Sequence, residues 1–113
     1  MIIMVTKKTE INRKQLAIDF AQSLNHPEIE KIILFGSVAR GEDTEDSDVD
    51  ILIITQNDDD DLKIEDDVYE KAWDICLDTM VYISVKMRSI KQYETYKDFP
   101  FYSNVEKDGV LIG

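Results

Sequence analysis

The sequence predicts an α/β fold with a small, mixed β-sheet flanked by helices. Two apolar runs rich in β-branched residues, at 31–35 and 48–55, favour strands. Apolar residues recur at three- and four-residue spacing over about 10–24 and about 62–77, which favours amphipathic helices. Because helical and strand patterns alternate along the chain, we expect helices packed on a sheet.

The elements are expected in the order helix, strand, strand, helix, strand, helix, helix. Thr9 is a suitable N-cap for the first helix, and Pro27 follows its end. The segment 1–5 is either a short strand or the irregular start of the chain. The remaining predictions are a helical turn at 37–40, a third strand at 80–85, a helix at 89–96 and a last helix that starts near Pro100 and closes at Gly109.

Composition limits the function classes. The 113 residues predict one domain, 1–113, too short for a catalytic domain plus a separate substrate domain. With 24 acidic and 13 basic residues the net charge is −11, which argues against direct nucleic-acid binding and favours Mg²⁺ or a basic partner protein. Solubility is the alternative explanation of this charge. One cysteine excludes an intrachain disulfide, and no apolar segment is long enough for a signal peptide or membrane span, so we expect a cytoplasmic protein without membrane contact.

Two carboxylates stand at the head of the second predicted strand. Asp48 and Asp50 are two residues apart, so on a strand both side chains point to one face. Their oxygens can share one Mg²⁺, which prefers oxygen ligands. Without a cation the two carboxylates repel each other, and one of them tends to hold a proton. The pair therefore predicts a metal site.

A small turn lies just upstream of the pair. Gly36 lets the backbone approach a phosphate, and Ser37 adds a hydroxyl and an N–H at the start of a helical turn. Arg40 places a permanent cation one turn further on. These residue types are typical of Mg²⁺-dependent nucleotidyl transfer, in which a metal aligns the attacking and leaving oxygens of a nucleoside triphosphate. The alternative is a hairpin-like loop in which two aspartates cap a strand.

The same segment resembles the nucleotidyltransferase family of the DNA polymerase β superfamily. The family signature joins an apolar residue and Gly-Gly or Gly-Ser to an alternating acidic pair on a strand. Residues 34–37 and 47–51 carry the match, and 39–42 resembles the family's usual Ala-Arg-Gly-Glu stretch. The small size and the tail at 99–109 resemble the minimal nucleotidyltransferases of the MNT antitoxin type.

The resemblance implies an α/β core whose mixed sheet carries the acidic pair, with ATP as substrate and Mg²⁺ as cofactor. It also implies a HEPN-type toxin partner, whose RNase activity is silenced by adenylylation of a tyrosine and by complex formation. The family usually has a third carboxylate on the strand after the long helix, as metal ligand or general base. The predicted strand at 80–85 contains no acid.

Asp78, just before that strand, is the candidate catalytic base, because a base must come within hydrogen-bond reach of the acceptor hydroxyl. Its alternative role is a polar residue that ends the helix. Asp74 lies one turn earlier and is expected to face solvent.

The sequence thus predicts transfer of AMP from ATP to a hydroxyl of a HEPN-type toxin, with Asp48, Asp50 and Asp78 as the catalytic acids. A binding module that neutralises its partner without catalysis is the first alternative. A small-molecule nucleotidyltransferase is the second, disfavoured because the chain has no room for a domain that holds such an acceptor.

Overall fold

A computed structural model of the chain describes residues 11–56 and 62–113. Its sheet contains four strands in the order β3-β2-β1-β4, which are β1 (Ile29–Phe35), β2 (Val49–Thr55), β3 (Ile83–Ser89) and β4 (Val110–Leu111). β1 runs antiparallel to β2 and β4, whereas β2 and β3 are parallel. The predicted α/β class with a mixed sheet is confirmed. The helices are α1 (Arg13–Gln22), α2 (Gly36–Ala39), α3 (Leu62–Thr79), α4 (Ile90–Tyr96) and α5 (Pro100–Asp108).

The sheet is covered on both faces. On one face the strands pack against α1 and α3, through a core of aliphatic side chains and Phe20. On the other face Leu52 and Ile54 of β2 pack against Val105 of α5, with residues of α4 alongside. β2 is buried along nearly its whole length because it lies between two strands and between these two layers.

The long helix α3 is the crossover connection between β2 and β3. β2 and β3 are parallel neighbours, so the chain must return to the same end of the sheet before β3 can start. α3 makes this return and buries Ile64, Val68 and Ala72 against the sheet. The starts of β2 and β3 therefore lie side by side, which sets the surroundings of the acidic pair.

The third strand was predicted in the wrong place, at 80–85 instead of 83–89. α3 ends two residues later than expected, and Met80 leaves it with a left-handed φ of 62°. The strand then continues through Lys86 and Arg88. These charged residues hid the strand from a search for apolar runs, although they alternate regularly with apolar ones.

Other boundaries shift by a few residues. α1 covers Arg13–Gln22 rather than 10–24, because Asn12 is its N-cap and accepts the backbone N–H of Gln15 at 3.0 Å. β1 starts at Ile29 and α2 at Gly36. The short strand β4 was not predicted. The expectations for 1–5 and for Thr9 lie outside the described residues.

The two C-terminal helices start as the sequence indicates. Ser89 caps α4 with a capping box to Gln92, and Pro100 opens α5 in its first turn. Gly109 follows α5, and its N–H donates to the carbonyl of Val105 at 2.7 Å. In the described part of the chain, no helix is long and apolar enough to cross a membrane.

Candidate active site

The acidic pair lies at the start of β2, at the end of the sheet where β3 also begins. Asp50 is half-buried and stands in register with Phe35 of β1 and Ser84 of β3. Asp48 is exposed just before the strand, and Val49 between them is fully buried on the opposite face. Val49 is thus buried on the face opposite Asp50, as predicted, whereas Asp48 precedes the strand that was expected to begin with it.

The environment of Asp50 disfavours its charge. Partial burial, and next the negative charge of Asp48, raise the pKa of the Asp50 carboxyl above its usual range. The cations Lys86 and Arg40 act in the opposite direction but do not cancel the rise. A carboxylate pair in this condition gains most from a bound cation, because the cation removes both the mutual repulsion and the desolvation penalty.

Gly36 fits directly against Asp50. Its φ of +79° lies in the left-handed region, where the chain turns from β1 into α2. A Cβ atom at this position would collide with the Oδ2 atom of Asp50. Glycine is therefore required twice, once by the backbone conformation and once by the approach of the carboxylate, and the Gly-Ser turn and the acidic pair form one compact site.

The short helix α2 follows this turn. Its N-cap residue, Phe35, makes no side-chain hydrogen bond to the first N–H groups of the helix. Ser37 lies in the first turn, and its carbonyl accepts the N–H of Glu42 at 2.9 Å. Arg40 caps the other end, with its guanidinium 3.5 Å from carboxylate oxygens of both Glu42 and Asp108. The exposed Arg40 side chain can leave such partners at little cost, since exposed ion pairs are weak.

Lys86 is a second cation of the site that the sequence analysis missed. It is two residues beyond Ser84 on β3, so it shares the sheet face of Asp50, and its charge acts on that carboxyl. Its Nζ atom lies 5.8 Å from the ring centroid of Phe101 on α5. The alternation of Ser84, Lys86 and Arg88 with apolar residues was the signal that could have found it.

Arg13 supports the loop that leads into the acidic pair, and it was also missed. Its side chain is buried, with 3% exposed, in the first turn of α1. The Nε atom donates to the carbonyl of Ser47 at 3.1 Å, and Nη2 donates to that of Glu45 at 2.7 Å. The guanidinium thus fixes the backbone immediately before Asp48. An arginine within an amphipathic helix gives no local sign of such a contact, because its partners lie more than thirty residues away.

The predicted base, Asp78, is exposed near the end of α3, as is Asp74 one turn earlier. α3 packs on the sheet face that carries Val49, whereas Asp50 faces the other layer. Asp78 is not among the charges that shift the pKa of Asp50. Within residues 11–56 and 62–113, no three His, Cys, Asp or Glu side chains are grouped so that they could hold a metal ion. The catalytic role of Asp78 therefore stays a prediction.

The donor set at the start of β2 fits Mg²⁺. Asp48 and Asp50 supply carboxylate oxygens, which are the ligands that this ion prefers, and two protein carboxylates suffice when phosphates and waters complete the shell. The raised pKa of Asp50 indicates negative charge that the surrounding protein does not neutralise. Because Gly36 has no side chain, the turn can approach the Asp50 carboxylate closely.

Fold and site together are those of a nucleotidyl-transferring enzyme, and the sequence agrees. The model of the nucleotidyltransferase domain family matches residues 14–109. The chain belongs to this family and is a nucleotidyltransferase.

Similarity to individual proteins is consistent with this assignment. A Methanocaldococcus jannaschii protein, provisionally named a protein adenylyltransferase, is 33% identical over an alignment of 88 residues that covers 74% of this chain and 78% of the relative. A toxin–antitoxin structure solved with AMP-PNP aligns with a TM-score of 0.56 at 20% identity, covering 91% of this chain and 73% of the other. The MNT antitoxin complexed with the tri-AMPylated HEPN toxin of Shewanella oneidensis gives 0.51 at 18%, covering 88% and 71%. At these identities the structural likeness shows the fold.

Proposed function

We propose that the chain is a Mg²⁺-dependent adenylyltransferase that moves AMP from ATP to a tyrosine hydroxyl of a HEPN-type toxin, and so acts as its antitoxin in the cytoplasm. The observation that carries the proposal is the packing of Gly36 against Asp50 beside Asp48. The name of the M. jannaschii relative supports protein adenylylation. The structures of a toxin–antitoxin complex with AMP-PNP and of an AMPylated HEPN toxin with its MNT antitoxin support the nucleotide and the partner.

Asp48 and Asp50 would hold the metal. When bound, Mg²⁺ neutralises the triphosphate and favours attack at the α-phosphorus. The chain contributes the preorganised geometry, because β2 fixes Asp50, and Asp48 immediately precedes the strand. The protein also favours metal binding, because the negative charge of Asp50 is poorly compensated by the protein alone.

The phosphates would lie against the Gly-Ser turn. The left-handed Gly36 exposes backbone to the ligand, and Ser37 offers its hydroxyl and N–H. Lys86 and Arg40, whose charges already reach Asp50, would offset the negative charge of the departing pyrophosphate.

In the transfer step, the tyrosine oxygen forms a bond to the α-phosphorus of ATP. The bond from that phosphorus to the oxygen bridging the α- and β-phosphates breaks, and pyrophosphate leaves with the electron pair. The tyrosine proton passes to a base, for which Asp78 is the sequence-based candidate. If Asp78 fills this role, Asp78→Asn should lower the transfer rate at saturating toxin without changing ATP binding, and if it does not, the rate at saturating toxin should stay unchanged.

Labelling tests the proposal. The purified chain is incubated with a HEPN-type toxin, Mg²⁺ and ATP labelled at the α-phosphate. We expect label on the toxin, its loss with EDTA, and its loss with Asp48→Asn. Asp46→Asn is the matched control, because it removes an exposed acid of the same loop outside the pair. Replacing the modified tyrosine by phenylalanine should remove the label as well.

A non-catalytic antitoxin is the second candidate. The structure favours it in one respect, since no third acid joins Asp48 and Asp50 within the described residues. The same experiment separates the two. A tight complex that inhibits the toxin, carries no label and survives Asp48→Asn would replace catalysis by simple binding.

A further inference from the structure

One side of α3 presents large apolar side chains to solvent. Tyr69, Trp73 and Leu77 are spaced four residues apart, and Met80 follows three residues later. Such spacing places side chains in one row along a helix, here about 16 Å long. Their exposed fractions are 49%, 58%, 62% and 69%. We call these four residues the α3 apolar row. It is separate from the side of the helix that packs on the sheet.

The backbone at the end of this row is held in an unfavourable conformation. Met80 has a φ of 62°, the one left-handed non-glycine residue in the described part of the chain. Its N–H donates to the carbonyl of Cys76 at 2.8 Å, as at a helix end where glycine is usual. Methionine thus stands where the backbone prefers glycine, although its side chain stays mostly exposed. Strain retained at an exposed site points to a function outside the fold itself.

Acidic side chains border the row on one side. Asp66, Glu70, Asp74 and Asp78 are all exposed and follow one another at four-residue spacing along the same helix. We call them the α3 acidic row. Two copies of this surface would bring like charges together, and nucleic acid or an anionic membrane would be repelled in the same way. A partner surface with apolar residues bordered by lysine and arginine would complement both the apolar row and the acidic row.

The row also leads towards the acidic pair. Beyond Met80 the chain reaches Tyr82, which is 53% exposed and whose carbonyl accepts the N–H of Val49 at 3.0 Å. Val49 lies between Asp48 and Asp50. A partner bound along α3 would therefore extend to the end of the sheet where Asp48 and Asp50 lie.

We infer that the α3 apolar row and the α3 acidic row form the docking surface for the protein acceptor, which meets them with a helix whose apolar side is bordered by lysine and arginine. The inference rests on the proposed transfer to a protein, and it names the surface and the chemistry of the partner. It assigns Met80 and Trp73 to recognition and none of the four apolar side chains to catalysis.

Two synthetic amphipathic helical peptides test the surface without nucleotide. One has leucine on its apolar side and lysine at the borders, and the other has glutamate in place of lysine. Trp73 is the single tryptophan of the chain, so its fluorescence reports docking directly. We expect the lysine peptide to shift the emission to the blue and the glutamate peptide to have no effect. Leu77→Ser should weaken the lysine peptide by about tenfold or more, as truncation of an interface anchor does.

Leu111→Ser is the matched control, since Leu111 on β4 is 64% exposed against 62% for Leu77. It should leave peptide affinity unchanged. Met80→Gly adds an internal contrast: it should raise Tm, by roughly 4 °C, because it relieves the left-handed strain, yet weaken the peptide. A structural role alone would not separate stability from binding in this way.

Several results would overturn the inference. These are no response to the lysine peptide, equal binding of both peptides, an equal loss with Leu111→Ser, or self-association in sedimentation that Leu77→Ser abolishes. The labelling experiment keeps this failure distinct from a failure of the proposed function. If Leu77→Ser still allows full transfer to the toxin, the docking surface is wrong and the adenylyltransferase stands. If the lysine peptide binds as expected but no label appears on the toxin, the docking surface stands and the adenylyltransferase is wrong.

Discussion

At the scale of single residues, Asp50 is a charge kept in surroundings that oppose it. Partial burial and the neighbouring Asp48 raise its pKa, and Lys86 and Arg40 compensate only in part. A shift of this kind, from desolvation plus a specific charged neighbour, is typical of functional sites. The ionised Asp50 therefore lowers the stability of the fold, which is consistent with the cation site proposed at this position.

Asp50→Asn should therefore separate function from stability. We expect AMP transfer to fall by at least about 100-fold, since even outer-shell changes at metal sites cost 10- to 100-fold. Tm at neutral pH should rise, because the substitution removes an unfavourable charge. The folded-state pKa of Asp50 lies above 3.8, so the wild type regains stability as pH falls through it and the difference between the two proteins should shrink. Thermal unfolding across acidic pH measures this, and an Asp50→Asn variant less stable than wild type at neutral pH would contradict it.

Gly36→Ala tests the close approach of the turn. Gly36 and Gly41 both have left-handed φ values, of +79° and +71°, but only at Gly36 would a Cβ collide with Asp50. Gly41 has nothing within 4 Å of that position. We expect both alanine variants to lose about 1 kcal/mol from backbone strain. Only Gly36→Ala should also lose Mg²⁺ and ATP binding, as measured by calorimetric titration. Equal loss of binding in both variants would show that the contact with Asp50 is unimportant.

At the scale of elements, the site depends on connections rather than on the strands alone. α1 reaches the loop before β2 through the buried Arg13, and β3 places Ser84 beside Asp50. Arg13 fixes the loop that leads into Asp48. Ser84 stands in register with Asp50, at a position where a further acid could act.

Arg13→Ala should loosen the loop. Two charge-assisted hydrogen bonds to backbone carbonyls are lost, so we expect a stability loss of about 3 kcal/mol. Transfer by the remaining folded protein should fall by roughly 10- to 100-fold, as when the supports of metal ligands are removed. Urea unfolding and labelling measure the two effects. Lys14→Ala, at an exposed neighbouring position, should change neither, and a fully active Arg13→Ala would exclude this role.

Ser84→Asp should add the carboxylate that β3 lacks. Position 84 stands opposite Asp50 in the parallel register, so the new side chain faces the same layer. We expect tighter Mn²⁺ binding by about tenfold, because affinity for hard cations follows the number of charged ligands. Without metal the variant should be less stable, since a third negative charge joins the pair. Ser84→Asn controls for size, and if it tightens Mn²⁺ binding equally, charge is not the cause.

At the scale of the whole molecule, an ion-pair group joins distant parts of the chain. His26 lies between α1 and β1, and its Nε2 atom is 2.7 Å from a carboxylate oxygen of Asp67 on α3. Lys71, one turn further along α3, donates to the other oxygen of Asp67 at 2.5 Å. Hydrogen bonds from Lys71 and then from His26 lower the pKa of Asp67. The group ties α3 to the connection between α1 and β1.

Asp67→Asn should reduce stability modestly. The folded-state pKa of Asp67 is below 3.8, so its contribution is present above that pH and is lost as pH falls through the lowered value. Because the group is partly exposed, we expect a loss of no more than about 1 kcal/mol at neutral pH, vanishing in strong acid. Asp66→Asn, at the exposed neighbouring position, is the control in the same thermal scans. A difference that persists in strong acid would assign the effect to packing instead.

Local patterns were sufficient for much of the fold. Apolar periodicity located α1, β1, β2 and α3 to within a few residues, the helical segment predicted at 89–96 matches α4, and Pro100 in the first turn located α5. The pattern failed at β3, where charged residues alternate with apolar ones, and at the two-residue β4, which is too short to form a pattern. The single-domain assignment of 1–113 stays a prediction.

The sequence by itself determined the residue types on which the proposed chemistry depends. The roles proposed for Gly36, Ser37, Asp48 and Asp50 rest on residue type and two-residue spacing, which are local features of the sequence. Only the tertiary structure decided what surrounds them: that Gly36 touches Asp50, that the charge of Lys86 acts on Asp50, that Arg13 holds the loop before Asp48, and that Asp78 lies on α3 in another layer. These relations join residues distant in sequence through sheet register and packing faces, and no local pattern records which distant residues a folded chain brings together.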